Sequence, residues 1–227
     1  MESVLLTGAT GLVGGSVLRA LIAARDVHGI TSLGRRPSGL ADAKLREVQI
    51  DDFADVAALS EHLRDIETIF HCLATYSNTA SREDYETVTL TWLDALLQAA
   101  SETAPQATFC LFSAAGARPD GGGLSFALRT KGAAENLLFE AALPRKFAFR
   151  PGYIAPSRPR EKPKISDAIA TPIFRLIPAI GVTSDELADA MLNVARNEQR
   201  SQAVFENSEL RQLSKPSTQG TSGAGFG

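Results

Sequence analysis

The sequence predicts an α/β protein built on a doubly wound parallel sheet, and three observations carry that expectation. Short apolar runs alternate with longer amphipathic stretches along the first two thirds of the chain. The first run leads directly into a glycine-spaced turn, Gly8-x-x-Gly11-x-x-Gly14. The composition, 44% hydrophobic and 22% charged over 227 residues, supplies enough apolar surface for one large core.

The first run, residues 3–7, reads as a strand and leads into a helix over 11–24. That helix places Leu12, Val13, Val17, Leu18, Leu21 and Ile22 on one stripe. Further strands are expected at 29–33, 47–50, 67–73, 107–112 and 146–150, with helices at 54–62, 82–100 and 125–142 among them. Right-handed crossovers then give a doubly wound sheet with a crevice at its carboxyl edge. After Arg150 the texture changes: Pro151, Pro156, Pro159, Pro163, Pro172 and Pro178 break the chain into short pieces. This stretch, through Ile180, does not read as more of the same core but as a small C-terminal extension on the substrate side. Ile154, Ile165, Ile169, Ile173, Phe174 and Ile177 make it an apolar lid. A helix follows over 184–197, capped by Thr183 or Ser184, with Asp185 and Glu186 at the positive end of its dipole. A last strand is expected at 202–205. Residues 1–213 are therefore read as one domain, with a core over 1–150 and a lid region over 151–213. Residues 214–227, SKPSTQGTSGAGFG, read as a flexible tail.

Charge and residue usage exclude several partners. Basic and acidic residues number 23 and 26, and no run of five like charges appears, so neither nucleic acid nor an anionic membrane is expected to bind. No apolar run approaches the roughly 18 residues of a membrane span, and no basic region precedes the first apolar stretch. Cys72 and Cys110 sit inside strand-like runs, where small buried thiols are commonplace, and a cytoplasmic setting is expected. His28, His62 and His71 have no metal-ligand spacing, so no metal is expected.

The glycine turn has a specific use. Gly8 permits the tight turn, Gly11 lets backbone approach a diphosphate, and Gly14 lets the helix pack closely. Thr10, Leu12 and Val13 complete the loop, and the free N–H groups of the helix start face the anion. The plainer alternative is a tight strand-to-helix turn without a ligand. At the end of the second strand an acid would bind the ribose hydroxyls of NAD, but the sequence there is Leu33-Gly34-Arg35-Arg36-Pro37. Two guanidiniums suit the 2′-phosphate of NADP(H), unless they are only solvated loop charges. Asp52 and Phe53 are placed to meet the adenine, although Asp52 could equally cap a helix.

With TGATGLVGG, the GRRP segment, Asp52-Phe53, Leu73-Ala74-Thr75, Ser113-Ala114-Ala115-Gly116-Ala117 and Lys131-Gly132, the sequence resembles the atypical short-chain dehydrogenases/reductases. It is similar to their small NAD(P)H-binding, epimerase-like group, related to the human Tat-interacting protein, over residues 1–213. The resemblance implies a Rossmann fold in which Leu73, Ala74 and Thr75 border the nicotinamide ribose. It implies that Ser113 polarises a carbonyl, that Lys131 binds ribose hydroxyls and lowers the pKa of a tyrosine four residues before it, and that Pro151 and Tyr153 pass along the nicotinamide.

That tyrosine is absent: Ala127 stands in its place, and Phe126 carries no hydroxyl. Residues four apart share a helix face, so the usual pairing of ammonium and phenol is broken. Ser113, Tyr153, Tyr76 or a water on Lys131 could supply the proton. A conjugated or flavin-like substrate could instead take it from solvent. The first expectation is an NADPH-dependent oxidoreductase acting on a small substrate, with Ser113, Lys131 and Tyr153 as catalytic candidates. The second is a cofactor-binding protein with non-redox chemistry, an isomerase or dehydratase, or an NADP(H)-sensing regulator. The helices at 82–100 and 125–142 either pair between subunits in a homodimer or simply cover the sheet.

Overall fold

In the computed structural model seven parallel strands lie in the order β3-β2-β1-β4-β5-β6-β9. They are β1 (Ser3–Thr7), β2 (Gly29–Gly34), β3 (Leu45–Gln49), β4 (Thr68–His71), β5 (Thr108–Phe112), β6 (Arg145–Arg150) and β9 (Gln202–Glu206). The remaining two, β7 (Tyr153–Ala155) and β8 (Gly181–Thr183), form a separate parallel pair. The structure describes residues 1–75, 80–123, 125–159 and 178–215. Tyr76, the lid residues Ile165, Ile169, Ile173, Phe174 and Ile177, and the tail beyond Lys215 lie outside the described residues.

Strand alternation sends successive residues to opposite faces, and each face has its own core. Val4, Leu6, Phe70, Phe147 and Phe149 join α1 (Leu12–Ala23) and α6 (Ser184–Asn197) on one side. Leu5, Ile69, Phe109 and Ala148 join α2 (Val56–Ser60), α4 (Trp92–Thr103) and α5 (Phe126–Glu140) on the other. This double coverage is why the strands read as continuous apolar runs. The order turns back between β1 and β4, and the crevice opens there at the strands' carboxyl ends.

Helix ends are satisfied from outside. Lys44 Nζ donates to the Ile22 and Ala24 carbonyls closing α1, at 3.0 and 2.7 Å. Lys146 Nζ does the same for Phe139 and Ala141 after α5, at 2.7 and 2.9 Å. Arg145 closes α6 through the carbonyls of Ala195 and Glu198. Cations at the negative ends of the dipoles also satisfy orphan acceptors. At the start of α6 Thr183 is the cap, in a reciprocal box with Glu186.

Three features depart from expectation. The helix expected over 82–100 is divided into α3 (Arg82–Glu86), a π-helical turn (Thr87–Thr91) and α4. The wide turn contains Thr87, Val88, Thr89 and Thr91, and their β-branched side chains crowd a regular α-helix. The sheet is not confined to the core read over 1–150, because β9, the expected last strand, pairs with β6 and α6 lies along α1. A short helix, α7 (Asn207–Leu213), follows β9 and had no expectation. Its first residue ties the extension together: the Asn207 Oδ1 accepts from Gly152 N at 2.9 Å and its Nδ2 donates to the Ala179 carbonyl at 3.0 Å.

Candidate functional site

The glycine turn has the geometry its spacing predicts. Gly8 lies at φ +80, and a Cβ there would stand 2.5 Å from the Cys72 carbonyl oxygen. Gly14 is tighter still, since its Cβ would come within 2.1 Å of the Gly8 oxygen. The partner of Gly14 is thus the turn itself, not the body of a strand. Gly11 N donates to the Gly8 carbonyl at 2.9 Å, and Gly11 then takes the N-cap position of α1 in extended conformation. No side chain caps α1, and no acid stands in its first turn. By contrast Asp55, Ser81, Ser125 and Thr183 cap α2, α3, α5 and α6. The first N–H groups of α1, from Leu12, Val13 and Gly14, are therefore left without a capping side chain, as an anion cradle requires.

A cleft of about 650 Å³ opens over this cradle, lined by Thr10, Gly11, Leu12 and Ser16 together with Arg19, Arg36 and Arg158. No acid lines it. Arg36 therefore joins the glycine loop, whereas Arg35 turns elsewhere and lies over the Trp92 ring, 5.6 Å from its centroid. Trp92 packs in turn on Phe53 at 5.3 Å. Phe53 is fully buried, so its expected contact with adenine finds no exposed surface; it serves instead as core beneath Trp92. Asp52 is exposed and accepts from Ala54 N at 2.9 Å, while the helix cap is Asp55.

Around the ends of β4 and β5 the polar groups are deeply enclosed. Lys131, only 8% exposed, donates from Nζ to the Phe112 carbonyl at 3.2 Å. Burial pulls its pKa down to about 8, against the upward influence of Cys72 and Glu135. His71 pairs with Thr7 Oγ1 at 3.0 Å and stays neutral, because burial and then the Lys131 charge push its pKa down to about 3. Burial raises the Cys72 thiol to about 12. Leu73, Ala74 and Thr75 continue from β4, and Leu73 N abuts Gly8. The ammonium is thus buried beside the carboxyl ends of β4 and β5, and Ala127 lies one helical turn before it on α5.

Ser113 differs from its expected role. Its hydroxyl is buried and donates to Glu135 Oε1 at 2.5 Å, so its proton points into the protein and not toward a substrate carbonyl. Glu135, fully buried, also accepts from Arg150 Nε at 2.8 Å and Nη2 at 2.5 Å. Arg150 reaches on to Glu206 at 2.8 Å. Pro151 is buried, with its carbonyl held by Ala115 N at 2.9 Å. Tyr153 is half-buried on β7 opposite Gly181, in the pair joined to α7 through Asn207. Sequence reasoning overlooked Trp92, Glu135 and Arg158. For Glu135 a signal existed, its i+4 spacing from Lys131 on an otherwise covered helix face.

Comparisons with known proteins agree with this architecture. The family model described as "NAD dependent epimerase/dehydratase family" matches residues 4–131. "Protein FMP52, mitochondrial", of Debaryomyces hansenii, is 24% identical over 205 residues, covering 85% of this chain and 87% of that relative. Uronate dehydrogenase from Agrobacterium tumefaciens superposes with a TM-score of 0.68 at 18% identity, over 94% of this chain and 83% of that one. MoeE5, solved in complex with UDP-glucose and NAD, gives 0.68 at 20% identity, over 90% and 75%. A short-chain dehydrogenase/reductase family oxidoreductase from Burkholderia thailandensis gives 0.62 at 19% identity and covers 92% of both chains. These structural likenesses establish the fold. Among the described residues no helix is long and apolar enough to cross a membrane.

Proposed function

Since the chain belongs to the NAD dependent epimerase/dehydratase family, which matches it over residues 4–131, we propose that it is an NADP(H)-dependent oxidoreductase of the atypical short-chain dehydrogenase/reductase type. Its substrate is small and apolar or conjugated. The observation that carries this reading is the uncapped, acid-free start of α1 sharing one cleft with Arg36. The glycine cradle fits a diphosphate, and the cleft suits a ligand with several negative charges. When bound, the cofactor supplies or accepts the hydride. The chain does the rest. The Leu12, Val13 and Gly14 amides hold the diphosphate, Arg36 pairs with the 2′-phosphate, and Arg35 on Trp92 adds positive charge beside it. Leu73, Ala74, Thr75 and Pro151 border the nicotinamide half.

The transferable proton resides on Lys131 Nζ or on a water it holds, since residue 127 has no hydroxyl and that of Ser113 is bonded to Glu135. An ammonium whose pKa is near 8 is a usable acid at neutral pH. Reduction should therefore be fast below pH ~8 and decline above it as Lys131 loses its proton. Lys131→Arg, whose guanidinium keeps its proton throughout this range, should be slow at every pH and show no such decline. A profile flat through pH ~7 to ~9 would assign the proton to another group. The two free, buried thiols suit a reducing compartment such as the cytoplasm, whereas the name of the Debaryomyces relative places that protein in mitochondria.

Cofactor choice is tested by titrating NADPH and NADH separately against the wild type and an Arg35→Ala/Arg36→Ala variant, followed by intrinsic fluorescence. The variant should lose about tenfold or more in NADPH affinity, with NADH nearly unchanged. Equal losses would overturn the assignment of NADP(H). Ala127 and the bonded Ser113 also favour a second reading, a cofactor-binding protein with non-redox chemistry or none. Tight binding without turnover across quinones, enones, flavins and ketones would select it.

A further inference from the structure

We propose that Arg158 is a second-wall ligand of the dinucleotide, gripping the diphosphate common to both nicotinamide cofactors while Arg36 reads the 2′-phosphate; this rests on the dinucleotide-binding reading above. The two arginines stand on different walls of one cleft. Arg36, Pro37, Ser38 and Gly39 form the wall that continues β2, where the adenosine ribose of a dinucleotide lies. Arg158, Pro159 and Ser184 form the other, at the start of α6, which packs along α1.

Arg158 is held in place there. Both its bonds to Asp185, each 2.9 Å, come from Nη1. Asp185 Oδ1 also accepts from Ser16 Oγ at 2.8 Å, in the second turn of the uncapped helix α1. Ser157 Oγ accepts from Asp185 N at 2.9 Å and from Ser184 Oγ at 3.1 Å, and Ser184 Oγ lies 3.0 Å from Ser16 Oγ. Residues 157–158 are thereby bound to the helix whose amides form the cradle. The Arg158 side chain remains 53% exposed. A guanidinium has five donors in a rigid fork, so one nitrogen can stay on Asp185 while another edge meets a phosphoryl oxygen. No acid stands among the described residues that line the cleft, so such a contact adds to the amide cradle, and the Asp185 carboxylate beside Arg158 is already engaged by Ser16 Oγ and Arg158 Nη1.

The experiment measures affinities for NADPH, NADH and ADP-ribose by fluorescence or calorimetry in the wild type, Arg158→Ala and Arg158→Lys, with thermal melts of each apo protein. Arg158→Ala should weaken all three ligands by a similar factor, about tenfold, with Tm nearly unchanged. Arg158→Lys should recover part of the loss by restoring the charge without the fork. Unchanged affinities, or a loss confined to NADPH, would overturn the proposal while leaving the dinucleotide reading intact. A wild type that binds none of the three overturns both. If Arg158→Ala lowers Tm, the Lys variant decides: weakened binding at wild-type Tm supports the contact, and wild-type affinity overturns it.

Discussion

Glu135→Ala should destabilise the folded protein by about 3 kcal/mol, read as a lowered urea midpoint at unchanged slope. The Glu135 carboxylate is fully buried between α5 and β6, where it accepts from Ser113 and twice from Arg150. Removing it leaves a largely enclosed guanidinium and a buried hydroxyl without their acceptor, and both groups were stripped of water on folding. The expected loss lies at the lower end of the range for broken buried pairs, because Arg150 keeps Glu206, whose carboxylate is half exposed. Glu135→Gln, which preserves shape and an acceptor, should lose less. A Glu135→Leu/Arg150→Met double variant should recover much of the stability, since no buried charge is then left unpaired. A loss below about 1 kcal/mol for Glu135→Ala would show that the pair adds little beyond the penalty of desolvating it. Lys131 lies one turn earlier on the same helix, so displacement of α5 in Glu135→Ala should also weaken dinucleotide binding.

The contrast between such long-range pairs and local signals explains which parts of the molecule were legible in the sequence. The alternation of runs, the glycine spacing and the handedness of crossovers are local or generic, and they give the doubly wound parallel class and the places of six of the seven strands of the sheet, with β9 already marked by its short apolar run. The cap of α6 was readable to within one residue, Thr183 or Ser184, because capping is decided within four residues. Glu135 and Arg150, by contrast, are merely charged residues fifteen apart until α5 and β6 pack. Ser113 looks like an exposed strand-end hydroxyl for the same reason. Phe53 follows an aspartate in a connecting segment, a context that suggests a ligand contact, but Trp92 from the far end of the π-helical turn covers it. That turn itself arises from side-chain crowding within a segment whose apolar periodicity still reads as one helix.

Gly14→Ala should reduce NADPH affinity by about a hundredfold or more and lower the apo Tm, because the added carbon meets backbone on which nothing can yield. Its Cβ would lie 2.1 Å from the Gly8 oxygen and 2.6 Å from the Gly8 carbonyl carbon. The turn cannot retreat toward β4, since the Cys72 carbonyl already fills the space where a Gly8 Cβ would be. It must open instead, and the amides of Leu12 and Val13 lose their alignment. Gly11→Ala is the informative partner. Its Cβ would stand 3.2 Å from the Gly8 oxygen, and φ −83 with ψ 170 is backbone that alanine adopts freely, so the fold should survive with a small shift in Tm. The methyl would nonetheless occupy the approach of a diphosphate to the cradle, and affinity should fall. If Gly11→Ala binds NADPH normally while Gly14→Ala does not, the glycine turn is a packing device and the plainer reading of it is correct. If both lose binding and only Gly14→Ala loses stability, the two glycines divide the work as their positions predict, one keeping the turn closed and the other leaving it open to the ligand.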